Sequence, residues 1–294
     1  MAEVERSLVQ QFSSNFQILS QQKESRLEST VTVKTGIIGS SYRVDSIGKN
    51  EAEDVIVRGT PLGSKELPHQ GRYIDLTDSE WWAHVYQHDA QKMLADPKSA
   101  YLFAGVASQN RKKDARIIAA LGGSARQVKA DGTSESIILP AAQKIAEGTT
   151  GLTRSKLVQG LEILGLAESY DDGEDLSNLI TLVVTQKQIS DILNDDKLTS
   201  ADYNAVRLLM DAKIDVFMGC KWKKTSLLSK TGTARFCYMY VKDGVHLGIG
   251  QDIRSTISVR EDLHGQPWQP YNWMSTGAVR NEEAKVVEIA CKEA

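Results

Sequence analysis

Between Ser29 and Arg72 the chain is written for strands but has almost nothing with which to bury them. Thr30-Val31-Thr32-Val33-Lys34 alternates at period 2 and is β-branched, the pattern of a strand. Gly36, Gly39, Gly48, Gly59, Gly63 and Gly71, with Pro61 and Pro68, then cut the segment into short pieces such as Tyr42-Arg43-Val44 and Val55-Ile56-Val57. A stretch of this kind cannot make its own core. It is either a long functional loop or a two-stranded extension that needs a partner surface.

The segment after it carries the clearest helix. Asp96 suits the N-cap and Pro97 the first helical position. Ala100, Ala104, Ala107, Ala115 and Ile118 follow one small-residue face, and Gly122-Gly123 stands where a left-handed cap belongs. The spacing predicts a helix of about 25 residues, roughly 37 Å long. Its middle, Asn110 to Arg116, is charged and is expected to be solvated or at an interface.

Further along, Gln127 to Leu139 reads as a hairpin turning at Asp131-Gly132. Thr153 to Leu166 reads as a helix striped by Leu157, Leu161 and Leu164. Leu179 to Thr185 reads as a buried strand, Gln188 to Leu193 as a short helix, and Ala201 to Lys213, capped by Ser200, as another. Phe236 to Val241 and Val245 to Ile249 are expected to form a hairpin around Asp243-Gly244, with further strands at Ile253–Val259 and Lys285–Cys291. The elements do not alternate as βαβα, so an α+β class is expected rather than a doubly wound sheet.

Charge and cysteine usage narrow the function classes. Thirty-five Lys and Arg against 38 Asp and Glu give a net charge of −3, which lacks the basic excess of a general nucleic-acid binder. Cys220, Cys237 and Cys291 are widely spaced, so neither a disulfide framework nor a zinc knuckle is expected. Met1 to Arg6 leads into a Gln-rich stretch rather than an apolar run, so no signal peptide is expected. The aliphatic runs are too short to span a bilayer, and no membrane partner is expected.

Motifs with catalytic potential are thin. His84 and His88 stand at i, i+4, a spacing that binds zinc on a helix, with Asp89 as a further ligand. Val85 occupies the position where the metalloprotease pattern needs Glu, so two histidines on a polar face is the plainer reading. Lys230-Thr231-Gly232 and Ser20-Gln21-Gln22-Lys23 match two β-lactamase elements, but no S-D-N joins them. Gly244, Gly248 and Gly250 have the wrong spacing for a dinucleotide loop. Lys221, Lys223 and Lys224 flank Trp222, a basic-aromatic cluster that reads as surface charge, as does the acidic run Asp171 to Asp175. No catalytic, cofactor or metal residues are assigned. The rival class is a metal-assisted enzyme working through His84 and His88.

The N-terminal segment is different again. Ser7 to Gln22 carries no charge and five Gln, and Leu8, Phe12, Phe16 and Leu19 recur at helical spacing. This apolar stripe either docks on its own domain or packs on a neighbouring subunit. Phe16 to Leu27, Leu94-Ala95-Asp96-Pro97, and Ser108 to Asp114 running on into Ile117 to Gly122 resemble short tailed-phage capsid proteins that open with a Gln-rich arm. The chain is similar over essentially its whole length to tailed-bacteriophage major capsid proteins, whose fold is shared with the herpesvirus capsid floor and with encapsulins.

The resemblance implies an N-arm at 1–28 and an extended β-loop at 29–72 lying over the adjacent subunit. It implies a peripheral domain at 73–145 and 251–294 with the long helix as spine, and an axial domain at 146–250. Leu8, Phe12, Phe16, Leu19 and Arg26 would belong to the subunit interface. The implied function is a virion shell of hexamers and pentamers around double-stranded DNA, assembled in the bacterial cytoplasm. The implied partners are copies of itself, a separate scaffolding protein, a portal, a decoration protein and non-specifically contacted DNA. An encapsulin-like compartment shell is the alternative within this fold.

Overall fold

The protein is described here from a computed structural model covering residues 21–52, 69–87, 98–129, 132–170, 180–194 and 216–293. The described chain opens with strands β1 (Thr32–Thr35), β2 (Ser41–Ile47), β3 (His69–Asp75) and β4 (Thr77–Trp82). Helix α1 (Lys98–Gly122) precedes β5 (Ala125–Val128), β6 (Ser134–Ile137) and β7 (Lys144–Ile145). Helix α2 (Arg154–Leu166), β8 (Ile180–Val184) and helix α3 (Gln186–Leu193) follow. The last strands are β9 (Val216–Phe217), β10 (Cys220–Lys224), β11 (Lys230–Thr231), β12 (Ala234–Val241), β13 (Val245–Val259), β14 (Trp268–Arg280) and β15 (Val286–Lys292). The class is α+β, as the sequence pattern indicates. No helix among the described residues is long and apolar enough to cross a membrane.

Three sheets result. One runs β1-β13-β14-β4, another β2-β3-β5-β6, and the largest β7-β15-β12-β8-β10-β9 with β11 beside β12. The chain divides into two compact units, one of 1–25, 78–113 and 251–275, the other of 26–77, 114–250 and 276–294.

The larger unit holds the main apolar core. Every residue of β8 is buried, which is what a central strand covered on both faces requires. Tyr238, Met239, Tyr240, Leu182, Val183, Ile289 and Leu157 all belong to this cluster. Helix α2 starts where Thr153 accepts the Lys156 amide at 3.4 Å, and α3 starts where the Gln188 side chain accepts the Thr185 amide at 3.0 Å.

The smaller unit is held by small residues and buried amides. Gly105 sits so close to Asn272 and Trp81 that a Cβ there would lie 1.9 Å from Asn272 Nδ2 and 2.5 Å from Trp81 Cε3. Gln109 and Asn272 are buried, and Gln109 accepts from Ser79 Oγ at 2.8 Å and donates to the carbonyls of Ser79 and Asn272. Gly105, rather than the alanines read from the sequence, allows this close helix–strand approach, with the amides satisfying the polar groups that it buries.

Three sequence expectations need correction. Phe236–Val241 and Val245–Ile249 do not form a hairpin. β12 pairs with β15, β8 and β11, whereas β13 lies between β1 and β14 in a different sheet. The 3₁₀ turn at Lys242–Gly244 redirects the chain, and Gly244 is needed because a Cβ would lie 2.6 Å from Lys285 Cβ. Ile253–Val259 is not a separate strand either but the second half of the 15-residue β13. The charged middle of α1 is not wholly solvated. Asp114 and Lys113 are buried, Asp114 accepting the amides of Arg26 and Leu27 at 3.0 and 3.2 Å, and Lys113 pairing with Asp252 at 2.8 Å.

α1 has 25 residues and ends at Gly122 as expected, but neither Gly122 nor Gly123 takes positive φ, so the expected left-handed cap is not formed. His84 does not stand on a helix either: Val85 beside it bridges to Trp268 as a strand residue. β5 and β6 pair antiparallel, with Gly132 at φ +82° in the turn. The expected helix at Ala201–Lys213, the acidic run Asp171–Asp175 and the cap at Asp96-Pro97 lie outside the described residues.

Candidate subunit-assembly site

The extension is built on the β2–β3 hairpin, paired from Ser41–Asp75 to Ile47–His69. Its exposed apolar residues are those of a segment without a core of its own: Ile38 is 97% accessible and Ile47 62%. At the base of the hairpin the picture reverses. Arg72 is 2% exposed, and its Nη2 donates to both Glu283 oxygens at 2.9 and 2.8 Å. Arg280, fully buried, donates to the carbonyls of Leu121 and Gly123 at 2.9 Å each and of Ile137 at 3.1 Å. A guanidinium thus closes the C-terminus of α1, where unpaired carbonyls and the negative end of the helix dipole attract a cation. Burial pulls the Arg280 pKa below its ordinary value, with Glu283 opposing that shift. A rigid ionic base therefore carries an exposed apolar extension.

A second buried cation sits at α2. Lys156 Nζ donates to the carbonyls of Glu147, Thr150, Gly151 and Ala290 at 2.7–3.1 Å. It ties the loop before α2 to β15, and burial lowers its pKa.

Of the interface residues expected from sequence, Arg26 alone lies within the described residues. Leu8, Phe12, Phe16 and Leu19 lie outside the described residues. Arg26 is exposed, with Nη1 donating to the Lys224 carbonyl at 2.7 Å, while Leu27 beside it is fully buried. His84 is exposed, and His88 lies outside the described residues. Trp222 is buried, its Nε1 donating to the Phe217 carbonyl at 3.0 Å, so its ring is not presented for base stacking.

The larger unit also carries a groove of about 510 Å³ beside α1, lined by Ala115, Ile118, Ala119, Leu227, Phe236 and Tyr238 among others. Sequence reasoning missed Arg72, Arg280, Glu283 and Lys156. Each has a decisive partner far along the chain: Glu283 for Arg72, the Leu121 and Ile137 carbonyls for Arg280, and the Ala290 carbonyl for Lys156.

The comparisons with known proteins bear directly on this arrangement. The family model for phage capsid protein matches residues 4–293. The chain belongs to the phage capsid protein family. Among solved structures it is similar to the cyanophage Pam1 capsid asymmetric unit, with a TM-score of 0.75 and 11% identity over 98% of this chain and 97% of that one. It is likewise similar to the capsid of Ralstonia phage GP4 (TM-score 0.74, 11% identity, 98% and 96% covered). The capsid of cyanophage P-SCSP1u gives a TM-score of 0.71 at 15% identity, with 99% and 95% covered. At such identities the likeness concerns the fold. Comparison with curated protein sequences finds no match. Like its family, the chain is a structural component of the virion that associates with copies of itself.

Proposed function

We propose that the chain builds an icosahedral shell of hexamers and pentamers around double-stranded DNA, without catalysis, in a tailed phage. The observation that carries this reading is the family match across residues 4–293. The extension with Ile38 and Ile47 in water supports it, since surface of this kind is covered when a neighbour packs on it.

Within this reading, 1–28 is the N-arm and 29–72 the extended loop. Residues 73–145 with 251–294 form the peripheral domain and 146–250 the axial domain. β15 pairs with β12 and β7, so the last strand of the peripheral allotment lies in the same sheet as the axial strands. Leu8, Phe12, Phe16, Leu19 and Arg26 are proposed as interface residues. A scaffolding protein, a portal, a decoration protein and packaged DNA are the further partners, with assembly in the host cytoplasm.

Electron microscopy of particles from cells expressing the full chain with its phage neighbours tests the reading. Closed shells containing DNA support it, shells with protein cargo point to an encapsulin-like compartment, and a stable monodisperse monomer overturns it. The arm is tested by Phe12→Ala combined with Phe16→Ala. Packing in trans leaves the free subunit's melting unchanged and blocks assembly. Packing in cis costs about 3–5 kcal/mol of folding stability per buried Phe.

A further inference from the structure

Two guanidiniums are buried beside one carboxylate where β3, β14 and the end of α1 meet. Arg72 and Arg280 both lie against Glu283. Arg72 spends only Nη2 on it, at 2.9 and 2.8 Å. Arg280 spends Nη1 and Nη2 on main-chain carbonyls, and its Nε stands 3.5 Å from Glu283 Oε1, too far for a good hydrogen bond. Arg72 Nε, Arg72 Nη1 and Arg280 Nε are buried and meet no acceptor among the described residues. Buried donors are paired as a rule, so three orphans in one cluster call for an acceptor.

The charges point the same way. Glu283 neutralises one of the two guanidiniums. Glu288, the next carboxylate to act on Arg280, lies 3.7 Å from Lys144 and is matched by it. One positive charge is left over in the cluster among the described residues. A buried Lys or His relieves such an excess by shedding its proton, but a guanidinium stays charged. The carbonyls of Leu121, Gly123 and Ile137 offer dipoles to Arg280 and leave the remaining donors unserved. Lys156 is the contrast: its buried ammonium donates to four carbonyls, so this chain does furnish acceptors for a buried cation where the cation has no other ligand to wait for.

Water would supply lone pairs and leave the charge. A small anion supplies both. The excess is a single charge, so a monovalent ion balances it and sulfate would overcompensate it. The cluster is buried, so the ion must give up its own hydration shell. That costs a large, weakly hydrated halide less than it costs fluoride. We propose that Arg72 and Arg280 bind a halide of the chloride or bromide kind beside Glu283, at the joint of β3, β14 and α1. The ion accepts from the guanidinium N–H groups that Glu283 and the carbonyls leave unpaired. The site belongs to the single chain and does not rest on the capsid reading.

Melting of the full chain at fixed pH and ionic strength, with sodium fluoride replaced stepwise by sodium chloride or bromide, tests it. The melting temperature should rise and level off, by about 3–8 °C at a hundredfold excess over Kd. Arg72→Gln should abolish the rise, while Arg43→Gln, which alters an exposed guanidinium, should keep it. Glu283→Gln removes the competing carboxylate, so the halide should bind about tenfold tighter and the rise should begin at lower concentration. A purely structural Arg72–Glu283 pair gives the opposite: Glu283→Gln is a weaker fold with no response to halide. Chlorine NMR of the native chain should show line broadening that bromide reverses. Identical melting in fluoride and chloride, or an unchanged response in Arg72→Gln, overturns the site. If Arg72→Gln does not fold, the other two readouts decide: no broadening by the native chain, or a halide response no stronger in Glu283→Gln, overturns it as well.

Discussion

Lys156 forms no close ion pair among the described residues, although Glu147 and Asp191 favour its charge from further off, and it keeps its ammonium inside the protein by donating its hydrogen bonds to four main-chain carbonyls. Replacing it with Met preserves length and apolar stem but orphans those carbonyls. Lys156→Met should therefore destabilise the chain by about 3–5 kcal/mol, measured as a lower denaturant midpoint at unchanged slope. Glu293 is the opposite case, a carboxylate at the end of the described chain gripped by Arg235 Nε and Nη2 at 2.8 and 2.9 Å and held at about 2. Its folded value lies below its unfolded value near 4.5, so the stability it contributes is complete above that pH and is lost as pH falls from about 4.5 towards 2. Acid unfolding should show that loss as about 1–2 kcal/mol once solvent screening is allowed for, and Glu293→Gln should remove the dependence in this window. None of these residues announced itself in the sequence. Lys156 meets Ala290 across 134 residues and Arg72 meets Glu283 across 211, and pattern within a window cannot bring such pairs together.

Helix α1 was legible because its end signals are local: Gly122-Gly123 closes a regular small-residue face. β13 was misread for the same reason, since its glycines look like punctuation. In the fold Gly248 is a site of close approach. A Cβ on Gly248 would lie 2.7 Å from Ile37 Cδ1 and 3.0 Å from Ile74 Cγ2. Gly277 in β14 is tighter still, with the Asp75 carbonyl oxygen 2.3 Å from where its Cβ would stand. A carbonyl cannot rotate away as a side chain can. Gly277→Ala should therefore cost about 1–3 kcal/mol, read as a drop in melting temperature, although alanine has the better strand propensity. The charged middle of α1 was likewise only half legible. Charge pattern identified Asn110–Arg116 as polar but could not foresee that Asp114 would be buried to anchor the amides of Arg26 and Leu27.

At the scale of the whole molecule, the readable signal was deficiency: an extension with no core of its own, now seen with Ile38 and Ile47 in water above the Arg72–Glu283 pair. The unit that carries it is otherwise closed, and this shows in its thiols. Cys220, Cys237 and Cys291 stand on β10, β12 and β15, strands of one sheet, each at most 2% accessible. Burial raises Cys220 to about 12, and the neighbouring Cys291 sulfur together with burial raises Cys237 well above its ordinary value. Alkylating reagents attack accessible thiolates; the shut sheet buries all three sulfurs and disfavours the thiolates of Cys220 and Cys237. Modification must wait for the sheet to open. Mass spectrometry of chains held with a maleimide should thus find unlabelled and triply labelled species with few between them, and a singly labelled majority would show that the strands open one by one. The three cysteines act as a clock wound by the sheet, and its rate, compared in free subunits and in finished shells, measures how much longer a chain stays shut once its neighbours surround it.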